Sequence, residues 1–301
     1  MNRTVALAAL LAMAACRKGE PQAAADTAAT RDSFAVVDSF RTPESVLYDS
    51  VMDVYVVSNI NGAPVDRDDN GFLSRVAPDG RVLELRWVDG ASDRVTLHAP
   101  KGMGISGDTL FVADIDEVRM FDRTSGRPLG SRRVRGASFL NDVAVGPAPG
   151  GTVYVTDTGL RADFSPSGAD AIYRFDARGN AVAVAKNPQL GQPNGIQAFG
   201  GGLLVVGWSG AAYVLDSLGR RTELVRPSHG QLDGVIMRAN GVIVASSWED
   251  SSLVSLFPGE TTWRPVFRGM PAPADIGFDS RRDRVLIPLF QANRIEVRPL
   301  H

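Results

Sequence analysis

Pro193-Asn194-Gly195 and Leu232-Asp233-Gly234 each head a short apolar run, and the same kind of phrase returns along the chain. The other copies are Pro43-Glu44-Ser45, Pro100-Lys101-Gly102, Leu140-Asn141-Asp142 and Ala274-Asp275-Ile276. Successive middle residues lie 57, 40, 53, 39 and 42 positions apart. A repeat near forty residues with strand-like content is the mark of a β-propeller, each repeat being one four-stranded blade. Six copies therefore predict six blades. Blades share one axis, so equivalent residues stand at one height around a central channel. That position reads Glu44, Lys101, Asn141, Asn194, Asp233 and Asp275.

Between the phrases, β-branched and apolar runs mark further strands. They are expected at 53–58, 71–76 and 82–85 in blade one, and at 110–114 and 118–122 in blade two. The later blades carry them at 153–157 and 172–176, 203–207 and 213–216, 242–246 and 253–256, and 285–289 and 295–297. The sixth blade then runs out of chain, whereas Phe34-Ala35-Val36-Val37 belongs to no other repeat. An open edge strand is a liability. Residues 34–37 are thus expected to supply the outer strand of blade six. Residues 33–301 form one all-β domain, a six-bladed β-propeller closed by its N-terminal strand.

The first fifteen residues read as a secretory signal, with Arg3 as the positive start and an apolar core too short to span a bilayer. The stretch Leu11-Ala12-Met13-Ala14-Ala15 precedes the only cysteine, Cys16. This resembles a bacterial lipoprotein signal, which implies a lipid on Cys16 and a place in the cell envelope, at the outer membrane or facing the periplasm. An ordinary signal peptide cut nearby is the alternative. Residues 16–32 are Ala-rich and polar without periodicity, as in a disordered tether. One cysteine forbids an internal disulfide, so the fold must rest on packing. The net charge of -2, with Arg and Asp interspersed, offers no basic block for nucleic acid. A small molecule is the expected partner, membrane contact is expected only through the lipid, and the chain is expected to be monomeric.

Glu44, Asn141, Asn194 and Asp233 bring two carboxylates and two amides, the oxygen donors that a hard cation such as Ca2+ takes. No Cys or His cluster at zinc spacing favours a softer metal. A single Asn-Gly or Asp-Gly reads as a turn, but six copies in register argue for a ring. Lys101 breaks the set. It could bind a substrate carboxylate or oxyanion, or pair with Asp233 or Asp275 and plug the channel without a metal. Asp66, Asp68, Asn70 and Gly71 match the first half of an EF-hand, but Ala77 stands where the bidentate Glu is required. Insertions 59–70 and 158–170 are polar turns or lids. His98 and His229 precede phrases and are expected near the channel mouth, and Trp208 and Trp248 could wall a pocket. Neither a Gly-x-Ser-x-Gly elbow nor a glycine-rich phosphate loop is present.

With these phrases the chain resembles the senescence-marker-protein/gluconolactonase/regucalcin-like six-bladed propellers, with strictosidine synthase and paraoxonase more distant. The resemblance spans residues 33–301 and rests on Pro43-Glu44-Ser45, Phe139-Leu140-Asn141-Asp142, Pro193-Asn194-Gly195 and Leu232-Asp233-Gly234. It implies a divalent ion held by Glu44, Asn194 and Asp233, with Asn141-Asp142 beside the substrate. The implied activity is calcium-dependent hydrolysis of small aliphatic or sugar lactones. Asp233 would be the general base, and Lys101, Asn141, Asp142 and Asp275 would meet the substrate. The alternative is a non-catalytic propeller that binds a ligand or protein partner on its channel face, and fold alone does not choose between them.

Overall fold

A computed structural model describes residues 33–36, 39–147 and 151–300. The signal, Cys16, the tether and Val37 lie outside the described residues. The first strand, β1 (Phe34–Val36), belongs to the last blade. Blade one follows with β2 (Pro43–Asp49), β3 (Val54–Asn59), β4 (Phe72–Val76) and β5 (Val82–Asp89). Blade two holds β6 (Pro100–Ser106), β7 (Thr109–Asp114), β8 (Glu117–Asp122) and β9 (Pro128–Arg133). Blade three holds β10 (Leu140–Val145), β11 (Val153–Asp157), β12 (Ala171–Phe175) and β13 (Ala181–Lys186). Blade four holds β14 (Pro193–Phe199), β15 (Gly202–Gly207), β16 (Ala212–Leu215) and β17 (Arg221–Glu223). Blade five holds β18 (Leu232–Met237), β19 (Ile243–Ser247), β20 (Ser252–Leu256) and β21 (Arg264–Arg268). Blade six holds β22 (Gly277–Asp279), β23 (Arg284–Leu289) and β24 (Arg294–Pro299), and β1 completes it.

Each blade is an antiparallel sheet, and β1 pairs with β24 with Phe34 opposite Val297. The closure expected from the orphaned N-terminal run is therefore observed. Both faces of a blade are covered by its neighbours, so the middle strands are continuous apolar runs without alternation. Each seam between blades holds its own cluster. Tyr55 and Val57 meet Leu286 and Val297 between blades one and six, and Phe111 and Val118 meet Leu140 and Val155 between blades two and three. The outer strands β9, β13, β17 and β21 have no counterpart in the sequence reading. Strand β9 is almost wholly exposed, so it carries no apolar signal to read.

Ion pairs staple the rim of these seams. Arg282 donates to both carboxylate oxygens of Asp53 at 2.8 and 2.7 Å and to Asp279 at 3.0 Å, while the Tyr55 hydroxyl donates to Asp279 at 2.8 Å. This network joins blade six to blade one. Arg123 grips Asp49 between blades one and two.

Candidate active site

The repeated phrase is where each inner strand breaks its ladder. Register shifts fall at Pro43/Ser45, Pro100/Met103, Leu140/Val143, Pro193/Ile196 and Leu232/Val235. A bulge of this kind re-aims side chains and frees backbone groups. Hydroxyls on the second strand take up some of that freed capacity. Ser58 accepts from Ser45 N–H, Thr156 from Asp142 N–H and Ser246 from Gly234 N–H, at 2.8–2.9 Å. Thr156 and Ser246 also donate to Asn194 O and Ala274 O in the next blade.

Gly195 and Gly234 have negative φ, so they are not turn glycines. A Cβ on Gly195 would lie 2.2 Å from Asp233 O, and one on Gly234 would lie 2.2 Å from Ile276 N. They let adjacent inner strands close to a narrow waist at the axis.

The same geometry corrects the sixth phrase. Pro273 bridges Leu289 as Pro43 pairs with Asn59, and Ser45 bridges Asp275. The left-handed residues agree: Thr42, Gln192, Gln231 and Ala272 each precede a phrase with φ of 48–57°. The sixth phrase is therefore Pro273-Ala274-Asp275. Its ring position is Ala274, and Asp275 is one residue further on. A slip of one residue turns a strand side chain to the opposite side. Asp275 accordingly lines the opposite mouth with Ser45 and Asp142.

Glu44, Lys101, Asn141, Asn194 and Asp233 line one cavity of about 240 Å3, and all five are buried. Four of their atoms, Glu44 Oε2, Asn141 Oδ1, Asn194 Oδ1 and Asp233 Oδ1, have no hydrogen-bond partner. Thr158 fixes the orientation of Asn141. Its hydroxyl proton goes to Pro193 O at 3.0 Å, so it can only accept from Asn141 Nδ2, also at 3.0 Å. The amide oxygen is thereby left to the cavity. Burial, then the charges of Asp233 and Asp275, push the Glu44 carboxyl well above its ordinary range, with Lys101 opposing. Burial and the Asp142 charge raise Asp233 to about 8. The Trp248 indole N–H tempers that rise without closing a hydrogen bond. Among the described residues no group of three or more His, Cys, Asp or Glu could hold a metal. The set here is mixed, two carboxylates and two amides, and its four orphaned oxygens fit Ca2+.

The structure separates the other expected site residues. Lys101 reaches the cavity, but its ammonium donates to Pro64 O at 2.8 Å and Ala99 O at 3.0 Å and sits 4.8 Å from the Phe139 ring centre. Among the described residues it forms no ion pair, so the salt-bridged plug through Asp233 or Asp275 is not what the structure holds. Burial lowers its pKa to about 8. Asp142, expected beside the substrate with Asn141, faces the other mouth and accepts Val143 N–H at 2.6 Å and Ile196 N–H at 2.8 Å. Both insertions reach the mouth of the cavity lined by Glu44 and Asp233: Gly62 and Pro64 come from one, Leu160 and Phe164 from the other. Trp208 and Trp248 wall the cavity as expected. His98 and His229 do not line it; His98 accepts Asp69 N–H at 3.1 Å, and His229 lies 3.6 Å from Asp250. Thr156, Thr158, Ser58 and Ser246 escaped the sequence reading. Their signal is a hydroxyl near the end of the second strand in blades one, three and five.

No family model and no curated protein sequence matches the chain. Solved structures do. A protein assigned as a gluconolactonase superposes with a TM-score of 0.67 at 16% identity, over 91% of this chain and 95% of its own. A streptogramin B lyase gives 0.62 at 11%, over 88% and 96%. A catalytically inactive histidine-to-alanine variant of virginiamycin B lyase from Staphylococcus aureus, solved with quinupristin, gives 0.59 at 13%, over 89% and 98%. At these identities the likeness establishes the fold: this protein is a six-bladed β-propeller. Its structural neighbours include a protein assigned as a gluconolactonase and two lyases.

Proposed function

We propose that this chain is a Ca2+-dependent hydrolase of lactones or related esters. One observation carries the reading: four buried side-chain oxygens without partners, one from each of four blades, line a single cavity. A buried polar atom left unpaired is costly, and four in one place point to a shared guest. Glu44, Asn141, Asn194 and Asp233 would hold the cation. Bound there, Ca2+ would polarise a carbonyl oxygen and neutralise charge developing on it.

The chain's own residues do the rest. Asp233 accepts the proton of the attacking water. Thr158 keeps the Asn141 oxygen turned inward. Lys101 pins Pro64, and with it the 59–70 segment, over the mouth. The aromatic walls exclude bulk water and so strengthen every electrostatic contact inside. The virginiamycin B lyase variant, inactive, lacks a histidine, whereas no histidine lines this cavity among the described residues. Hydrolysis is therefore favoured over a histidine-driven elimination. The same proposal attaches the monomer to the cell envelope through a lipid on Cys16.

Elemental analysis of the purified soluble domain, repeated on Glu44→Gln, tests the reading. About one calcium per wild-type chain is expected, lost in the variant, with chelation lowering both melting temperature and lactone turnover. Wild-type protein without divalent ion, indifferent to chelation in both respects, would refute it.

A further inference from the structure

Above the four oxygens the cavity is lined mainly by carbon, with the unpaired Trp248 indole N–H as a further polar group among the described residues. Phe139, Leu160, Phe164, Trp208, Trp248 and Phe290 form its walls. Trp208 and Trp248 meet edge to face at 5.3 Å and 71°, and Trp248 meets Phe290 at 5.0 Å. Apart from the four oxygen-bearing residues, the only charged side chain there among the described residues is Lys101, and its ammonium is taken up by two backbone carbonyls and the Phe139 ring. Among the described residues no Ser, Thr, Gln, Arg or His contributes to the lining. A polyhydroxylated guest would lose water from each hydroxyl against aromatic carbon, about tenfold in affinity per unpaired group. An alkyl guest would gain about fourfold per buried methylene. At about 240 Å3 the space is smaller than the ~300–1,000 Å3 that holds drug-sized ligands.

We infer that the substrate is a small apolar lactone or ester, with one carbonyl at the four oxygens and an alkyl or aryl portion in the aromatic box, and that sugar lactones are excluded. This rests on the hydrolase reading above and names its substrate class. The likeness in fold to a gluconolactonase does not carry its chemistry over, because selection lies in the wall residues.

Two δ-lactones with the same ring and carbonyl provide the test: δ-decalactone and glucono-δ-lactone. With calcium-loaded full-length protein, hydrolysis is followed by proton release. Binding of the corresponding unreactive lactams is followed by the emission of Trp208 and Trp248. The alkyl lactone is expected to have a kcat/KM at least about 100-fold higher, and the alkyl lactam to bind at least about 30-fold more tightly. Phe164→Ser, at a half-exposed wall position, is expected to narrow both preferences about tenfold while calcium content is unchanged. Equal or better binding of the glucono-lactam, or no binding of the alkyl lactam, overturns the inference. Unchanged preferences in Phe164→Ser also overturn it. Selective binding of the alkyl lactam without hydrolysis of either lactone keeps the substrate class and sinks the hydrolase reading instead.

Discussion

The two mouths of the channel are furnished by adjacent residues of the same phrases, yet they differ in kind. Asn141 faces one and Asp142 the other. At the first mouth the ring oxygens are buried and unanswered. At the second, Asp142 is held by two backbone N–H groups and Asp275 by the Ser45 hydroxyl at 2.5 Å. The second cavity is the larger, about 560 Å3 against 240 Å3. Volume does not set the two mouths apart in kind. Unmet hydrogen-bonding capacity does, because folded proteins rarely leave it without a use.

Removing a carboxylate from each mouth should break the symmetry most sharply. Asp233→Asn is expected to weaken calcium binding by about 100-fold or more, about 3 kcal/mol or above, and to abolish lactone turnover. Asp275→Asn should change calcium affinity by less than about threefold, since its charge acts only from beyond the waist. Titration calorimetry on both variants decides, and equal losses would erase the distinction between the mouths.

A next effect is expected from pH in the metal-free protein. Burial raises Asp233 to about 8 and Asp142 to about 7, whereas unfolded aspartates release their protons near pH 3.9. Between about pH 4 and 8 the native state thus binds more protons than the unfolded chain, so stability must fall as pH rises. Asp53, lowered to about 2 chiefly by Arg282, has the opposite sign but acts below this window. Lys101, lowered to about 8, acts above it. Melting temperatures in chelator should be higher at pH 5 than at pH 8. Calcium, which takes deprotonated ligands, should restore most at pH 8. A rise from pH 5 to 8 in chelator contradicts the assignment.

Thr158→Val should be milder. With no hydroxyl to hold the Asn141 amide, calcium affinity is expected to drop about tenfold, in the range seen when a group behind a metal ligand is lost. Thr158→Ser should recover it, and a valine variant with unaltered affinity would leave Asn141 oriented by something else. The smallest change is expected from Gln231→Gly. It relieves a left-handed non-glycine conformation at φ 49°, worth under about 1 kcal/mol once glycine's own entropy is set against it. A slightly higher denaturation midpoint with calcium binding intact is the expected outcome. Loss of calcium would show that strain at this turn holds Asp233 in place.

Five phrases were legible because a polar residue stands out between a proline or leucine and an apolar run. The sixth was misread by one position, since Ala274 carries no polar mark and the neighbouring Asp275 drew the alignment to itself. Backbone pairing and the left-handed Ala272 set the register, and neither is visible in side-chain type. At 195 and 234 the repeat argued against turn glycines, but what they serve, the close approach of neighbouring inner strands, depends on which strands are neighbours. Strand β9 and its counterparts left no trace because solvent-facing outer strands need no hydrophobic pattern. The hydroxyls of Thr156 and Thr158 act across blade boundaries, so their role depends on which blades are neighbours.

Strand β1 supplies the rim of a sheet whose other three strands lie at the far end of the chain. Phe34 must wait for Val297, so no ribosome can release a finished ring blade by blade. Five sheets can assemble during synthesis, but the sixth closes only after nearly the whole polypeptide exists. That long loop closure is an entropic barrier reached late, and until then the apolar seams beside blade six stand open to mispairing with another molecule.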